Sequence, residues 1–339
     1  MKNRYLIPLL LWIAVLSGCV HDYPTMTPDG EEGVDPTLVQ VATEVTLDLE
    51  LVPLEIITQN ARSGTTKTTS EYRRRFIIEA RREGKPESRQ VTVLDEAETG
   101  SGKLTLPIRL KLHAVEYTLV VWTDYVVAGT EADLYYDTEN MEYISCIAPY
   151  TGSTDYRDCL YGTTALDLRQ YRNEWNAKVQ VKVDMVRPLA KYEIIATDVK
   201  DFLHKVKKQR EGGETYTITF SYGFFFPTAF NAVTGKPADS QTGITFTTPL
   251  AVPDDGTEEC SIGYDYVFVN GEESFVKLTM EINDSGGNLI SRTAGLEVPY
   301  RRGHLTTVRA RFLTNEMKGG VDIDDDFEGD IDVDLDDLF

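Results

Sequence analysis

From Val41 to Leu51 the apolar residues Val41, Val45, Leu47, Leu49 and Leu51 fall on odd positions, with polar residues between most of them. Successive side chains of an extended chain point to opposite faces, so a period of two marks a strand buried on one side. This alternation recurs along the chain and constrains its fold more than any other feature. Phe76–Ala80, Gln90–Leu94, Lys103–Leu112, Tyr117–Val127, Lys178–Val183 and Leu189–Ile195 read as further strands. Glu83-Gly84-Lys85-Pro86 and Thr99-Gly100-Ser101-Gly102 supply turns between them. Beyond residue 214 the pattern resumes at Thr215–Phe220, Phe224–Phe226, Gly243–Thr247, Val267–Val269, Phe275–Ile282, Leu289–Ser291 and Leu305–Leu313. The 18 Tyr and 13 Phe add sheet formers to recurring Thr and Val. Short strands at this spacing predict a mostly β fold of sandwich or barrel type.

One segment has the helical period instead. In Asp198–Gln209, Phe202, Leu203 and Val206 form a stripe, Asp198 is placed to cap the start, and Gly212-Gly213 follow the end. Lys205, Lys207, Lys208 and Arg210 lie where the helix dipole favours cations. A chain of 339 residues is long enough for two cores. This helix marks the expected junction, giving an N-terminal β domain over 41–200 and a C-terminal one over 201–320.

The N-terminus reads as an address. Lys2 and Arg4 precede an uncharged run from Leu6 to Leu16, too short for a spanning helix of about 20 residues. Leu16-Ser17-Gly18-Cys19 closes it, which is the order of a bacterial lipoprotein signal. Residues 1–18 are then a signal peptide, and Cys19 becomes the lipid-bearing N-terminus. Several acyl chains, palmitate among them, anchor a protein stably at about 0.8 kcal/mol per buried methylene. Residues 19–40, rich in Pro, Gly, Asp and Glu, read as a flexible spacer between lipid and body.

Net charge is −21, which disfavours nucleic acid as a partner because phosphate carries the same sign. Ten acidic residues and no basic ones lie in 321–339. There Val321, Ile323, Phe327, Ile331, Val333 and Leu335 occupy odd positions, while every even position from Asp322 to Asp336 is acidic. Such phase predicts a strand, and two readings stand: the last strand of its own domain, or a strand donated to a neighbouring molecule.

Chemical motifs are sparse. Asp324, Asp326, Glu328 and Gly329 follow part of a calcium loop, but Leu335 stands where its bidentate Glu belongs, and an Asp-rich strand explains the match. His21, His113, His204 and His304 have no neighbours at metal spacing, and no phosphate loop or nucleophile elbow occurs in its structural setting. Neither a catalytic residue, a metal nor a cofactor is expected, and the chain is read as non-enzymatic. Besides Cys19 there are Cys146, Cys159 and Cys260; the first two are the closer pair, and either one bond or three buried thiols fits. Arg73-Arg74-Arg75 and Arg81-Arg82 read as solvated residues that guard a hydrophobic strand against edge pairing. Trp122, Tyr135, Tyr136 and Trp175 read as core; as a surface they would suit a glycan-binding lipoprotein, the alternative function.

Three motifs carry a family likeness. They are Tyr117-Thr118-Leu119-Val120-Val121-Trp122 with Asp158-Cys159-Leu160-Tyr161-Gly162; Arg187-Pro188-Leu189-Ala190-Lys191-Tyr192-Glu193-Ile194 leading into Thr197-Asp198; and Phe226-Pro227-Thr228-Ala229-Phe230-Asn231 with Gly235-Lys236-Pro237 and, near the end, Arg302-Gly303-His304-Leu305-Thr306-Thr307-Val308. In this order, and behind a lipobox cysteine, the chain resembles the Bacteroidetes fimbrillin-like lipoproteins over roughly Thr118 to Val333. The resemblance implies two tandem transthyretin-like β-sandwich domains. It also implies a subunit or anchor of a cell-adhesion fimbria at the outer membrane, with other fimbrial subunits as partners. In such families an extended strand of one subunit fills a groove in the next after an arginine-specific protease removes a first strand. Arg62, in Arg62-Ser63-Gly64, is the residue placed for such a cut.

Overall fold

The computed structural model describes residues 30, 33–48, 71–94, 103–174, 177–207, 215–251, 256–314 and 331–333. The first half contributes β1 (Gln40–Asp48), β2 (Tyr72–Arg82), β3 (Lys85–Val93), β4 (Lys103–His113), β5 (Glu116–Val127), β6 (Tyr136–Asp137), β7 (Ile144–Cys146), β8 (Leu160–Asp167) and β9 (Lys178–Asp184). The second contributes β10 (Leu189–Ala196), helix α1 (Val199–Lys207), β11 (Tyr216–Tyr222), β12 (Phe226–Asn231), β13 (Lys236–Gln241), β14 (Thr245–Leu250), β15 (Cys260–Phe268), β16 (Glu273–Asn283), β17 (Leu289–Arg301), β18 (Leu305–Ala310) and β19 (Ile331–Val333). The fold is mostly β. Among the described residues no helix is long and apolar enough to cross a membrane.

Alternation translates directly into two sandwiches. In the first, sheet β4-β1-β9 faces sheet β3-β2-β5-β8, and the inward positions Val41, Val45, Leu47, Phe76, Ile78, Leu119 and Val121 form one core. In the second, sheet β15-β10-β18-β19 faces β14-β11-β16-β17 around Tyr192, Ile194, Ile218, Phe220, Leu278 and Val298. Helix α1 closes this core with Val199, Phe202, Leu203 and Val206, one face at helical spacing. The Asp198 carboxylate reaches across to accept from the backbone N–H of Phe312, Leu313 and Thr314 at 2.8–3.2 Å. Its predicted place at the helix start is kept, and its charge ties the helix to the chain beyond β18.

A fifth sheet, β13-β12-β7-β6, takes two strands from each half. It covers the outer face of β2 and β5. Ile77, Val120 and Trp122 there pack with Tyr136, Ile144, Leu189, Phe230 and Phe268 in a third core. The sheet β3-β2-β5-β8 is therefore buried on both faces along β2 and β5.

Three sequence expectations change on this frame. Strand β10 pairs with β15 and with β18, so the sheets change over between β9 and β10, ahead of the helix where the junction was expected. Phe224 and Phe225 lie in the exposed turn after β11, and the strand begins at Phe226. Most telling, Arg74, Arg75 and Arg81 are buried instead of solvated. Strand β2 is not an edge: β3 and β5 flank it. Arg75 stands directly opposite Asp124 on β5 and binds it bidentately at 2.7 and 2.8 Å, with Asp133 at 2.8 Å beside them. Arg81 pairs with Glu79 and Glu142. A charge taken out of water must be paired, and each of these is.

Removing one partner of such a pair strands the other. Arg75→Ala should cost about 3–5 kcal/mol in a urea titration, whereas Arg292→Ala, in an exposed pair with Glu281, should leave the midpoint unchanged. Acid tests a second pair. Burial disfavours the charge of Asp158, but Arg187, at 2.7 and 2.9 Å, and then Arg74 outweigh it and hold the carboxyl below the usual carboxylate range. A depressed folded value contributes stability that is fully present above the unfolded value of about 3.9 and is lost as pH falls from there through the folded value. Arg187→Ala should therefore be much less stable than the parent near pH 7, with the gap narrowing below about pH 4.

Candidate functional site

Strand β1 is the middle of a three-stranded sheet, and its two neighbours differ in kind. It runs antiparallel to β4, from Gln40 opposite His113 to Asp48 opposite Lys103. It runs parallel to β9, from Ala42 opposite Lys178 to Asp48 opposite Asp184. A parallel neighbour requires a long crossover, and here all of β2 to β8 lies between the two strands. The slot between β4 and β9 is thus defined without β1 being covalently next to either.

The sequence of β1 suits this seat through its period of two. Val41, Thr43, Val45 and Leu47 point inward and are fully buried, while the even positions face outward. On the outer side Glu44 accepts from the Gln180 amide at 2.8 Å, and Asp48 pairs with Lys182 at 2.5 Å. At the entry, Asp35 accepts from the Thr37 N–H at 2.9 Å and its hydroxyl at 2.7 Å. At the exit, the Met185 N–H donates to the Asp48 carbonyl at 3.1 Å.

Two features make the fit imperfect. The ladder to β4 breaks register between Glu44 and Thr46, so the strand is bulged. The Thr43 hydroxyl, on the inward face, has no hydrogen-bond partner. A hydroxyl removed from water without a partner costs about 1–3 kcal/mol. An apolar side chain of the same shape would avoid that cost.

Of the six tail residues singled out in sequence, Ile331 and Val333 lie in β19. That strand pairs antiparallel with β18 through Thr306–Val333, Thr307–Asp332 and Val308–Ile331. The described part of the tail is thus a strand of its own second sandwich, seated at a sheet edge by three residue pairs. Val321, Ile323, Phe327 and Leu335 fall outside the described residues, as do Cys19, Arg62 and most of the calcium-like loop. Among the described residues no cluster of His, Cys, Asp or Glu is placed to hold a metal. Trp122 and Tyr136 are buried and offer no sugar platform; Trp175 lies outside the described residues. Cys146, Cys159 and Cys260 are free thiols; burial pushes all three up, Cys260 to about 11.

Sequence reasoning treated residues 41–51 as an ordinary first strand and missed the slot. The signal was there: Thr43 is the one polar residue at an inward position between Val41 and Leu47. Thr43→Val should stabilise the chain by about 1 kcal/mol, and Leu47→Ala should destabilise it by about 2–5 kcal/mol. Denaturant titrations of both variants check these opposite signs.

The chain belongs to a protein family described as of unknown function, DUF6562, which it matches over residues 36–337. No curated protein matches it. Among solved structures it is similar to a candidate cell adhesion protein from Bacteroides eggerthii, at 13% identity and TM-score 0.42, covering 87% of this chain and 95% of that one. It is similar to a candidate adhesin from Bacteroides ovatus, at 10% identity and TM-score 0.42, covering 80% and 88%. It is also similar to the fimbrial anchor protein Mfa2 from Porphyromonas gingivalis, at 9% identity and TM-score 0.37, covering 80% and 90%.

Proposed function

We propose that this chain, as a member of that family, is a structural subunit or anchor of a surface fimbria that assembles by exchanging β-strands and performs no bond chemistry. The observation that carries the reading is the seat of β1. It fills a slot open to backbone pairing on both sides, it is bulged, and it buries an unsatisfied hydroxyl. A strand without those defects would fill the same slot better.

Arg62 lies in sequence between β1 and β2, so a cut there would separate β1 from β2 in the chain and fall within none of the described strands. The emptied slot would present two rows of backbone N–H and C=O groups over an apolar floor of Phe76, Ile78, Leu119 and Val121. An extended segment with apolar residues at every second position meets that need. The tail of a neighbouring copy has this character through Val321, Ile323, Phe327, Ile331, Val333 and Leu335. Its described strand is held at home by three residue pairs against one neighbour, whereas the slot pairs with two. Cys19, lipid-modified, would tether the body to the outer membrane and leave it at the cell surface with other fimbrial subunits.

The test is cleavage with an arginine-specific protease, followed by addition of a peptide of residues 321–335. The parent should lose β1, bind the peptide or polymerise, and regain its thermal midpoint. Arg62→Ala should stay intact and bind nothing. Release from Thr43→Val, once cut, should be about fivefold slower, matching its added stability of about 1 kcal/mol. A cut body that stays folded and takes up no strand would sink the proposal.

A further inference from the structure

Of the three sequence motifs that carry the family likeness, the first lines the slot floor through Leu119 and Val121, but their common ground is elsewhere. They meet at the boundary of the two sandwiches. Trp122 and Cys159 of the first motif, Leu189 of the second and Phe230 of the third share one core. Asp158 and Arg187 form an ion pair across the first two. Arg302 donates to the Gly235 and Val269 carbonyls at 3.4 and 2.9 Å.

Residues 144–158 pass through the middle of this assembly. They belong to the first half in sequence, where Tyr156 packs 4.1 Å from Tyr72 and Asp158 pairs with Arg74, yet they also reach into the second. Strand β7 pairs with β12 through Ile144–Phe230 and Ser145–Ala229. Tyr150 sits in the second core, 5.3 Å edge-on from Phe226 and 6.2 Å from Phe246. Gly152 passes so close to the Phe246 ring that a Cβ there would stand 2.5 Å from it, so only glycine allows the crossing. The Ser153 N–H donates to the Tyr264 carbonyl at 2.9 Å, and Asp155 receives Lys191 at 2.8 Å.

The fixed point of this segment is Asp265, buried at 1% exposure on β15. Its carboxylate accepts from Arg157 at 3.0 Å, Tyr150 at 2.7 Å, Tyr222 at 2.6 Å and the Tyr266 N–H at 2.8 Å. Two of these donors come from residues 144–158 and two from the second sandwich. Arg157 stacks on the Tyr150 ring at 4.1 Å, and its own carbonyl receives the Tyr136 hydroxyl at 2.6 Å.

We propose that residues 144–158 are a strap that locks the two sandwiches into one rigid body, with Asp265 as its pin. The covalent connection between the sandwiches, Met185–Pro188, is only four residues of chain. It would act as a hinge if it alone held the halves together. The strap makes a second, non-covalent connection centred on the buried Arg157–Asp265 pair. A partly satisfied buried network costs more than none, so the strap holds in one arrangement or comes away as a unit.

Hydrogen exchange on the full chain tests this. In the parent, the Ile147 and Ser153 amides and those of residues 185–190 should exchange as slowly as those of β5 and β10. Asp265→Asn should speed the strap and the connection at least tenfold while β2, β11 and β16 stay at parental rates. Should Asp265→Asn not fold, Tyr150→Phe, which removes one hydroxyl, is read in the same way with a smaller acceleration. The proposal fails if the strap already exchanges freely in the parent, if the variants leave it unchanged, or if every strand speeds up equally. The last result would make Asp265 an ordinary part of a common core.

Discussion

Burial of one sheet on both faces organises this molecule. Sheet β3-β2-β5-β8 presents Phe76, Ile78, Leu119 and Val121 to the first sandwich and Ile77, Val120 and Trp122 to the junction. A strand in that position cannot leave a charge unpaired on either side. Arg75 therefore meets Asp124 across the ladder, and Glu79 and Arg81 meet each other along one strand. The ionic girdle follows from the double cover. Hydrophobic burial on the two faces supplies the stabilisation, and the paired charges limit which register and which partner strand can satisfy it.

Seen from this sheet, the two halves of the first sandwich have different characters. The side carrying β2 and β5 is bound into the rest of the protein through the third core and the strap. The opposite side, β4-β1-β9, holds a strand that pairs with β4 and β9 of the first sandwich and is tied to the connection between the halves by the Met185 to Asp48 hydrogen bond. The proposed strand exchange at β1 and the proposed lock at the junction are compatible for that reason. The strand proposed to exchange lies in sheet β4-β1-β9, whereas the proposed strap runs through β7 of sheet β13-β12-β7-β6, so filling or emptying the slot need not disturb the Asp265 network.

Much of the fold was legible from periodicity. The strand at Val41, the pair Tyr117–Val127 and Lys178–Val183, and helix α1 all come from counting apolar positions, because burial of one face repeats every two or 3.6 residues. The turn at Glu83-Gly84 was legible as well: both residues have positive φ, 50° and 77°, as a two-residue hairpin requires. The short strands β6 and β7 were not, since two or three residues cannot display a period. Nor was the candidate site. Thr43 looked like a polar residue in a strand, and only the packing above it shows its hydroxyl without a partner.

By itself the sequence determined that the chain would be built of strands and that its tail keeps a strict two-residue phase, because these are properties of neighbouring residues. Tertiary structure alone decided which strands are central, which arginines are buried, and that residues 144–158 cross into the second half. Those depend on partners 30 to 140 residues away, as between Arg75 and Asp124, Arg157 and Asp265, or β1 and β9. Local pattern says that a face is buried, whereas the identity of what buries it is fixed only when distant segments pack together.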